Sequence, residues 1–236
     1  MGNAFGAGKR SWSAGFGCVW QHRRVAETTD WHDWHSPYAD DTSALSRRLR
    51  IVQRHIDDWL DQRPESTLRV VSVCAGQGHD LIGVLTRRSD ADRVQAELIE
   101  KDPRNATAAR KRAAAAGLGG ITVRCTDAGD FAAYRTAVPA DLVLLAGVLG
   151  NISDQNARAT ITSLPRLCAQ GATVIWTRTR RPPDLTPVVR RWFAGVDFTE
   201  QAFDAPPDEL FSVGVHLFRG RPDSPPPSGR IFTFAR

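Results

Sequence analysis

The stretch Leu68-Arg69-Val70-Val71-Ser72-Val73-Cys74-Ala75-Gly76-Gln77-Gly78-His79-Asp80 decides how this chain folds. A short apolar run rich in valine reads as a buried strand, the two glycines as a turn, and the residues from Asp80 to Thr86 as a helix. Glycine at 76 and 78 lets the backbone come close to a ligand, and a helix N-terminus offers unpaired N–H groups to it.

Outward from that unit, apolar runs near Gln95–Glu100, Ile121–Cys125, Ala140–Ala146 and Ala172–Arg178 alternate with helical stretches over Pro103–Ala116 and Asp154–Leu167. Such alternation is the pattern of βαβ units and a parallel sheet. The alanines of 106–116 favour helix, and Gly117 supplies its stop. Two further strands, Phe211–Phe218 and Arg230–Ala235, flank a proline-rich turn at 221–227 and are expected to pair as a closing antiparallel hairpin. The fold class is therefore α/β: a doubly wound, mostly parallel seven-stranded sheet, Rossmann-like, with a C-terminal antiparallel hairpin. Before the first strand, Leu45, Leu49, Val52, Ile56 and Trp59 recur every three or four residues, which predicts a helix starting at Ser43 and ending before Pro64. His55 and Arg48 fall within its apolar stripe, His55 as a packing residue. Residues 1–30 lack periodicity and read as a flexible arm, 31–66 as a lid and helix, and 67–236 as the core.

The 236 residues suit one domain. With 42% hydrophobic and 24% charged residues, composition favours neither disorder nor a membrane class. No run approaches the ~18 apolar residues that span a bilayer, and the N-terminus lacks the apolar stretch of a signal peptide, so a cytoplasmic location is expected. Gly6 stands where a myristoylation signal wants Ser or Thr. Cys18, Cys74, Cys125 and Cys168 are scattered and make no zinc spacing; no metal is expected. The net charge of +5 is spread over many arginines without an aromatic-interleaved basic block, so nucleic acid is not the expected partner.

The second strand ends in Ile99-Glu100-Lys101-Asp102-Pro103 and the third in Cys125-Thr126-Asp127-Ala128. One acid at each of two successive strand ends, beside a glycine turn, suits an adenosine. Glu100 can accept from both ribose hydroxyls and Asp127 from the adenine amino group. A nicotinamide dinucleotide asks for G-x-G-x-x-G, but Leu81 occupies the third glycine position.

From about Leu68 to Arg178 the chain resembles the class I S-adenosylmethionine-dependent methyltransferases, within them a group of actinobacterial methyltransferase-like proteins. The family's first motif has an acid and then G-x-G-x-G; Ser72 stands here for the acid and Cys74 for the first glycine. The resemblance implies S-adenosylmethionine as cofactor, held by Cys74, Ala75, Gly76, Gln77 and Gly78, by Glu100 and Lys101, by Asp127 and Ala128, and by Gly147 in the fourth-strand motif Ala140–Ile152. The histidine pair that small-molecule methyltransferases carry near positions 150–151 is replaced by Gly150-Asn151.

Trp31-His32-Asp33-Trp34-His35-Ser36-Pro37-Tyr38 concentrates aromatic and imidazole groups before the first helix, and is expected to roof the methyl side near Gly147–Asn151. Its His35, and after it His32, are the candidate general bases, with Asn151 as a group that orients the acceptor. Trp31, Trp34, Tyr38, Asn151 and Arg178 are the candidate acceptor-binding residues; Arg48 is a candidate for the cofactor carboxylate. The expected reaction is methyl transfer to an O or N nucleophile of a small molecule. Alternatives are a nucleic-acid methyltransferase, a non-catalytic cofactor-binding protein, or an enzyme acting on the cofactor itself by cyclisation of its aminobutyl group.

Overall fold

The computed structural model describes Met1, residues 30–31, 33–224 and 228–234. A 3-10 helix, Asp33–Ala39, leads into α1 (Ala44–Asp61), followed by β1 (Leu68–Val73), α2 (Leu81–Leu85), β2 (Val94–Glu100), α3 (Pro103–Ala115), β3 (Ile121–Cys125) and β4 (Ala140–Leu145). The chain continues through α4 (Asp154–Ser163), β5 (Cys168–Thr179), α5 (Thr186–Ala194), β6 (Phe198–Asp204) and β7 (Phe211–Phe218). The strands form one sheet in the order β3-β2-β1-β4-β5-β7-β6. β1 to β5 pair in parallel, and β7 runs antiparallel to both β5 and β6.

Alternation along the central strands fills both faces. Val70, Leu142, Leu144, Ile175, Val213 and Val215 point to one side, where Val52, Ile56, Trp59 and Leu60 of α1 meet α2 and the alanines of α3. Val71, Val73, Val143, Leu145, Val174 and Trp176 point to the other, against Ala157 and Ile161 of α4 and Val189 and Phe193 of α5. Because β1 and β4 are covered on both sides, they read as nearly continuous apolar runs. Helix starts are fixed by side-chain caps. Ser43 accepts from the Ser46 N–H at 3.0 Å, Asp102 from Arg104 at 2.8 Å, and Ser153 from Asn156 at 3.2 Å. Among the described residues no helix is long and apolar enough to cross a membrane.

The expected C-terminal hairpin exists, but its strands are β6 and β7, not Phe211–Phe218 with Arg230–Ala235. Residues 228–234 cross back over the carboxyl ends of the parallel strands and make isolated bridges, Asp130 with Arg230 and Ile152 with Phe234. Ile231 and Phe232 are buried there, and it is this burial that produces their apolar pattern. β6 carries Thr199, Glu200 and Gln201 in a row and lies at the sheet edge, so it lacks an apolar signal; Gln201 is bulged out between the pairs Glu200–His216 and Ala202–Val215. His55 is not a packing residue: its Nε2 lies 2.6 Å from Asp204 Oδ2, which ties α1 to β6.

Between β7 and α5 lies His216, with no exposed surface. Its Nδ1 accepts from Trp176 Nε1 at 3.0 Å, and its ring stacks on Phe193 at 4.3 Å. Nε2 finds no hydrogen-bond partner among the described residues, and the Glu200 carboxylate stands 3.7 Å away. Burial lowers the His216 pKa from 6.5 to about 4, more than the Glu200 charge raises it. The unfolded chain thus takes up a proton at a pH where the folded chain refuses it, and stability falls as the pH drops from 6.5 toward 4. The loss attributable to this residue reaches about 3 kcal/mol, at about 1.4 kcal/mol per pH unit. His216→Asn retains an acceptor for Trp176 and should flatten the dependence of urea-unfolding stability on pH between 6.5 and 4; an unchanged slope would assign it to other groups.

Candidate cofactor and substrate site

The carboxyl ends of β1 to β4 enclose a cavity of about 840 Å³. Its floor is the turn after β1, Cys74, Ala75 and Gly76, with Glu100, Asp127 and Ala128 beside it and Ala146, Gly147 and Asn151 after β4. Register explains the convergence. Val73 pairs with Ile99 and Glu100 with Cys125, so the three strand ends are level and their polar residues emerge at one edge.

Glu100 is 7% exposed, and both its oxygens are engaged by backbone. The Gly76 N–H donates to Oε2 at 2.8 Å and the Asp102 N–H to Oε1 at 2.7 Å. Burial raises its pKa despite those bonds. Each oxygen retains a lone pair, so the cavity side of the carboxylate can still accept from a vicinal diol. Asp127 is handled differently. Burial opposes its ionisation, but the Gly129 N–H at Oδ1 (2.8 Å), with Arg230 (3.0 Å) and Lys101 (3.1 Å) at Oδ2, outweighs this and holds its pKa below the ordinary value.

The turn is not uniform. Gly76 lines the cavity with φ of 56°, whereas Gly78 (φ 70°) does not and serves packing: a Cβ there would lie 2.5 Å from Ile82 Cδ1. Gln77 also points away, donating to Asn105 Oδ1 at 3.3 Å. Cys74 takes φ of 52°, the left-handed conformation that glycine adopts freely and other residues adopt at a cost. Its thiol is pushed well above the usual range by burial and then by the Glu100 and Asp127 carboxylates, which keeps it neutral.

At the far end of the cavity stand Tyr38, Arg48, Leu49, Val52, His79 and Asp80. The Tyr38 ring lies 4.6 Å from that of His79, and its hydroxyl is hydrogen-bonded to Arg48. Asp80, buried at the start of α2, has its pKa raised by desolvation, with Arg48 acting against that. His79 and Asp80 both line the cavity, although sequence reasoning assigned neither to the site. Asn151 lines it too, but its Nδ2 donates to the Gly147 carbonyl at 2.6 Å, closing the β4 turn, while Gly147 N–H donates to Thr177 Oγ1 at 2.8 Å.

Arg178 does not reach the cavity. Its guanidinium donates to the Leu149 carbonyl and, at 2.9 Å, to Asp154, fastening the β4 loop to α4. The candidate acceptor residue is therefore a brace between the Leu149 carbonyl and the Asp154 carboxylate. Trp31 and Tyr38 both line the cavity: Trp31 packs against Phe234, 5.3 Å away, whose backbone bridges Ile152 next to Asn151, and Tyr38 stands against His79. His32, the side chains of Trp34 and His35, and the arm 2–29 lie outside the described residues. Arg230, Thr233 and Phe234, absent from the sequence expectation, complete the wall. Their signal was present in the alternation Ile231-Phe232-Thr233-Phe234, which sheet pairing explained equally well.

The chain matches no protein-family model and no curated protein. Among solved structures it is similar to magnesium protoporphyrin IX methyltransferase from Synechocystis PCC 6803 with bound S-adenosylmethionine, at 16% identity and TM-score 0.60, covering 81% of this chain and 92% of that one. It is also similar to the CurJ carbon methyltransferase, at 12% identity and TM-score 0.61, covering 78% of this chain and 58% of that one. A Clostridium thermocellum protein described as an rRNA methylase aligns at 11% identity and TM-score 0.54, covering 71% and 95%. The architecture is thus the class I methyltransferase fold, with the strand order and the antiparallel seventh strand found here.

Glu100 offers a test that needs no ligand. Glu100→Ala leaves the Gly76 and Asp102 N–H groups without acceptors and should destabilise the protein by about 1–3 kcal/mol. Glu100→Gln keeps one acceptor but turns an amide NH2 toward the other backbone N–H, and should lose stability too, by less than Glu100→Ala, as read by urea denaturation at pH 7. Equal losses in the two variants would mean that the charge, and not the acceptor, holds the turn.

Proposed function

We propose that the chain binds S-adenosylmethionine in this cavity and directs methyl transfer to an oxygen or nitrogen of a small molecule. The observation that carries the reading is the convergence on one cavity of Gly76, the buried Glu100 carboxylate and the ionised Asp127. The bound cofactor supplies an electrophilic methyl group on a sulfonium. In this reading Cys74, Ala75 and Gly76 let the backbone approach it, and Glu100 accepts from the ribose hydroxyls. Asp127, with Ala128 and Lys101 beside it, accepts from the adenine amino group. Arg48 takes the carboxylate of the amino-acid end, near Gly147, while Gln77 and Gly78 act from behind through packing.

The chain's contribution to the reaction is mainly placement and exclusion of water. Tyr38 and Asn151 face the acceptor end, and Trp34 is assigned to the same wall. Where the acceptor must lose a proton, His35 is the proposed base and His32 the second choice. A cavity of about 840 Å³ lies toward the upper end of the roughly 300–1,000 Å³ range of ligand pockets, which suits a cofactor together with a small acceptor. Its charged lining pairs Arg48, Lys101, Arg104 and Arg230 with Asp80, Glu100, Asp102 and Asp127, and this balance favours a small molecule over a nucleic-acid strand.

S-adenosylmethionine and S-adenosylhomocysteine should bind in the micromolar range and raise the melting temperature, whereas NAD should leave it unchanged. Glu100→Ala should weaken S-adenosylhomocysteine by about ten- to a hundredfold in calorimetry. Stabilisation by NAD alone would overturn the assignment.

A further inference from the structure

The segment 228–234 supplies a fixed wall that ends beside the loop following β4. Phe131 N–H donates to the Gly229 carbonyl at 2.9 Å, Ile231 N–H to the Gly129 carbonyl at 2.7 Å, and Asn156 Nδ2 of α4 to the Thr233 carbonyl at 3.0 Å. Phe234 then forms a β-bridge with Ile152, the residue after Asn151. It is thus delivered beside the β4 loop, where the reading above puts the acceptor. Against it stands Trp31, the two rings tilted by 56°. Asn105 Nδ2 donates to the Trp31 carbonyl at 3.2 Å, and Arg104 holds the neighbouring Asp30 at 2.7 and 3.0 Å. Both rings line the cavity and both are only half-buried, which leaves aromatic surface for a ligand.

The ions near these rings are already matched. Lys101 and Arg230 pair with Asp127 at 3.1 and 3.0 Å, and Arg104 pairs with Asp102 as well as with Asp30, so three cations meet three carboxylates. Arg48, at the other end of the cavity, is assigned to the cofactor carboxylate. A charged acceptor would have to displace one of these partners, whereas a flat ring gains from two aromatic neighbours what a puckered ring of the same size does not. Resting on the methyl-transfer reading above, we propose that the acceptor is an uncharged, planar aromatic molecule bearing a hydroxyl or an amine, held against Trp31 and Phe234. Segments on either side of the strand-and-helix core, 30–31 and 228–234, then select it. Transfer joins the methyl group to the acceptor's oxygen or nitrogen, breaks the S–CH3 bond and releases the O–H or N–H proton, to His35 in the scheme above, leaving S-adenosylhomocysteine.

The test is calorimetry on the protein saturated with S-adenosylhomocysteine, using probes of similar size: 2-naphthol, the anionic 2-naphthoate, and decahydro-2-naphthol, which is neutral but not planar. The parent should bind 2-naphthol about tenfold more tightly than either of the others. Phe234→Leu and Trp31→Leu keep an apolar side chain without the ring; each should weaken 2-naphthol about tenfold and leave S-adenosylhomocysteine within about twofold of the parent. Phe234→Trp restores a ring and should keep 2-naphthol within about twofold. Melting temperatures without ligand should stay within a few degrees, which excludes loss of fold as the cause. Equal affinity for all the probes, no binding of 2-naphthol, or parental affinity for it in both leucine variants would overturn the aromatic acceptor and leave the cofactor reading intact. An equal loss of S-adenosylhomocysteine and 2-naphthol in the leucine variants would also overturn it, by assigning the rings to the cofactor. Failure of the parent itself to bind S-adenosylhomocysteine would overturn both readings.

Discussion

Much of this structure depends on one buried carboxylate. Glu100 ends β2 under the turn that ends β1, and by accepting from Gly76 and Asp102 it joins the glycine turn to the start of α3. The Ala75 N–H, bonded to the Ile99 carbonyl at 2.9 Å, completes the join. Removing a charge from water is costly unless donors replace the solvent, and here the donors are backbone groups that the turn and the helix start would otherwise leave unpaired. The same two bonds therefore shape the turn, orient the acid and set α3 at the angle from which Arg104 and Asn105 hold Asp30 and Trp31.

Charge is organised locally throughout. Arg88 bonds Asp90 and pairs with Asp57 and Asp61; Arg190 forks onto Glu200; Arg54 and His55 share Asp204. The excess of five positive charges is thus not gathered at the cavity, where acids and bases are balanced. The β4 loop obeys the same economy at shorter range. Arg178 and Asn151 occupy two of its carbonyls, and Thr177 receives one of its N–H groups, so the loop is tied both to itself and to β5.

The parallel half of the sheet was legible because its strands are buried on both faces and its helices are capped and periodic, so β1 to β5 and α1 to α4 stand close to their expected positions. The antiparallel half was not. β6 is an edge strand with three polar residues in succession, and α5 begins with Thr186-Pro187 after the turn Arg181-Pro182-Pro183-Asp184, where proline signals masked a helix whose Val189 and Phe193 are buried. Residues 230–234 look like a strand for a different reason: Ile231 and Phe232 enter the core, while Arg230, Thr233 and Phe234 line the cavity. In the site, Gly76, Glu100 and Asp127 followed from their places at strand ends. Arg178 and Phe234 did not, because a strand-end position does not tell whether a side chain turns into the cavity or back toward a loop.

The bulge at Gln201 bears on how the molecule behaves in company. Among the described residues the seven-stranded sheet ends at β3 and β6, and an edge strand presents unpaired N–H and C=O groups to any second chain. On β6 the bulge breaks the even spacing of those groups, and Glu200, gripped by Arg190, places an ion pair beside them. A straight strand from another molecule meets neither a continuous register nor an apolar face there. Resistance to edge-to-edge aggregation is thus built into the same polar residues that concealed the strand.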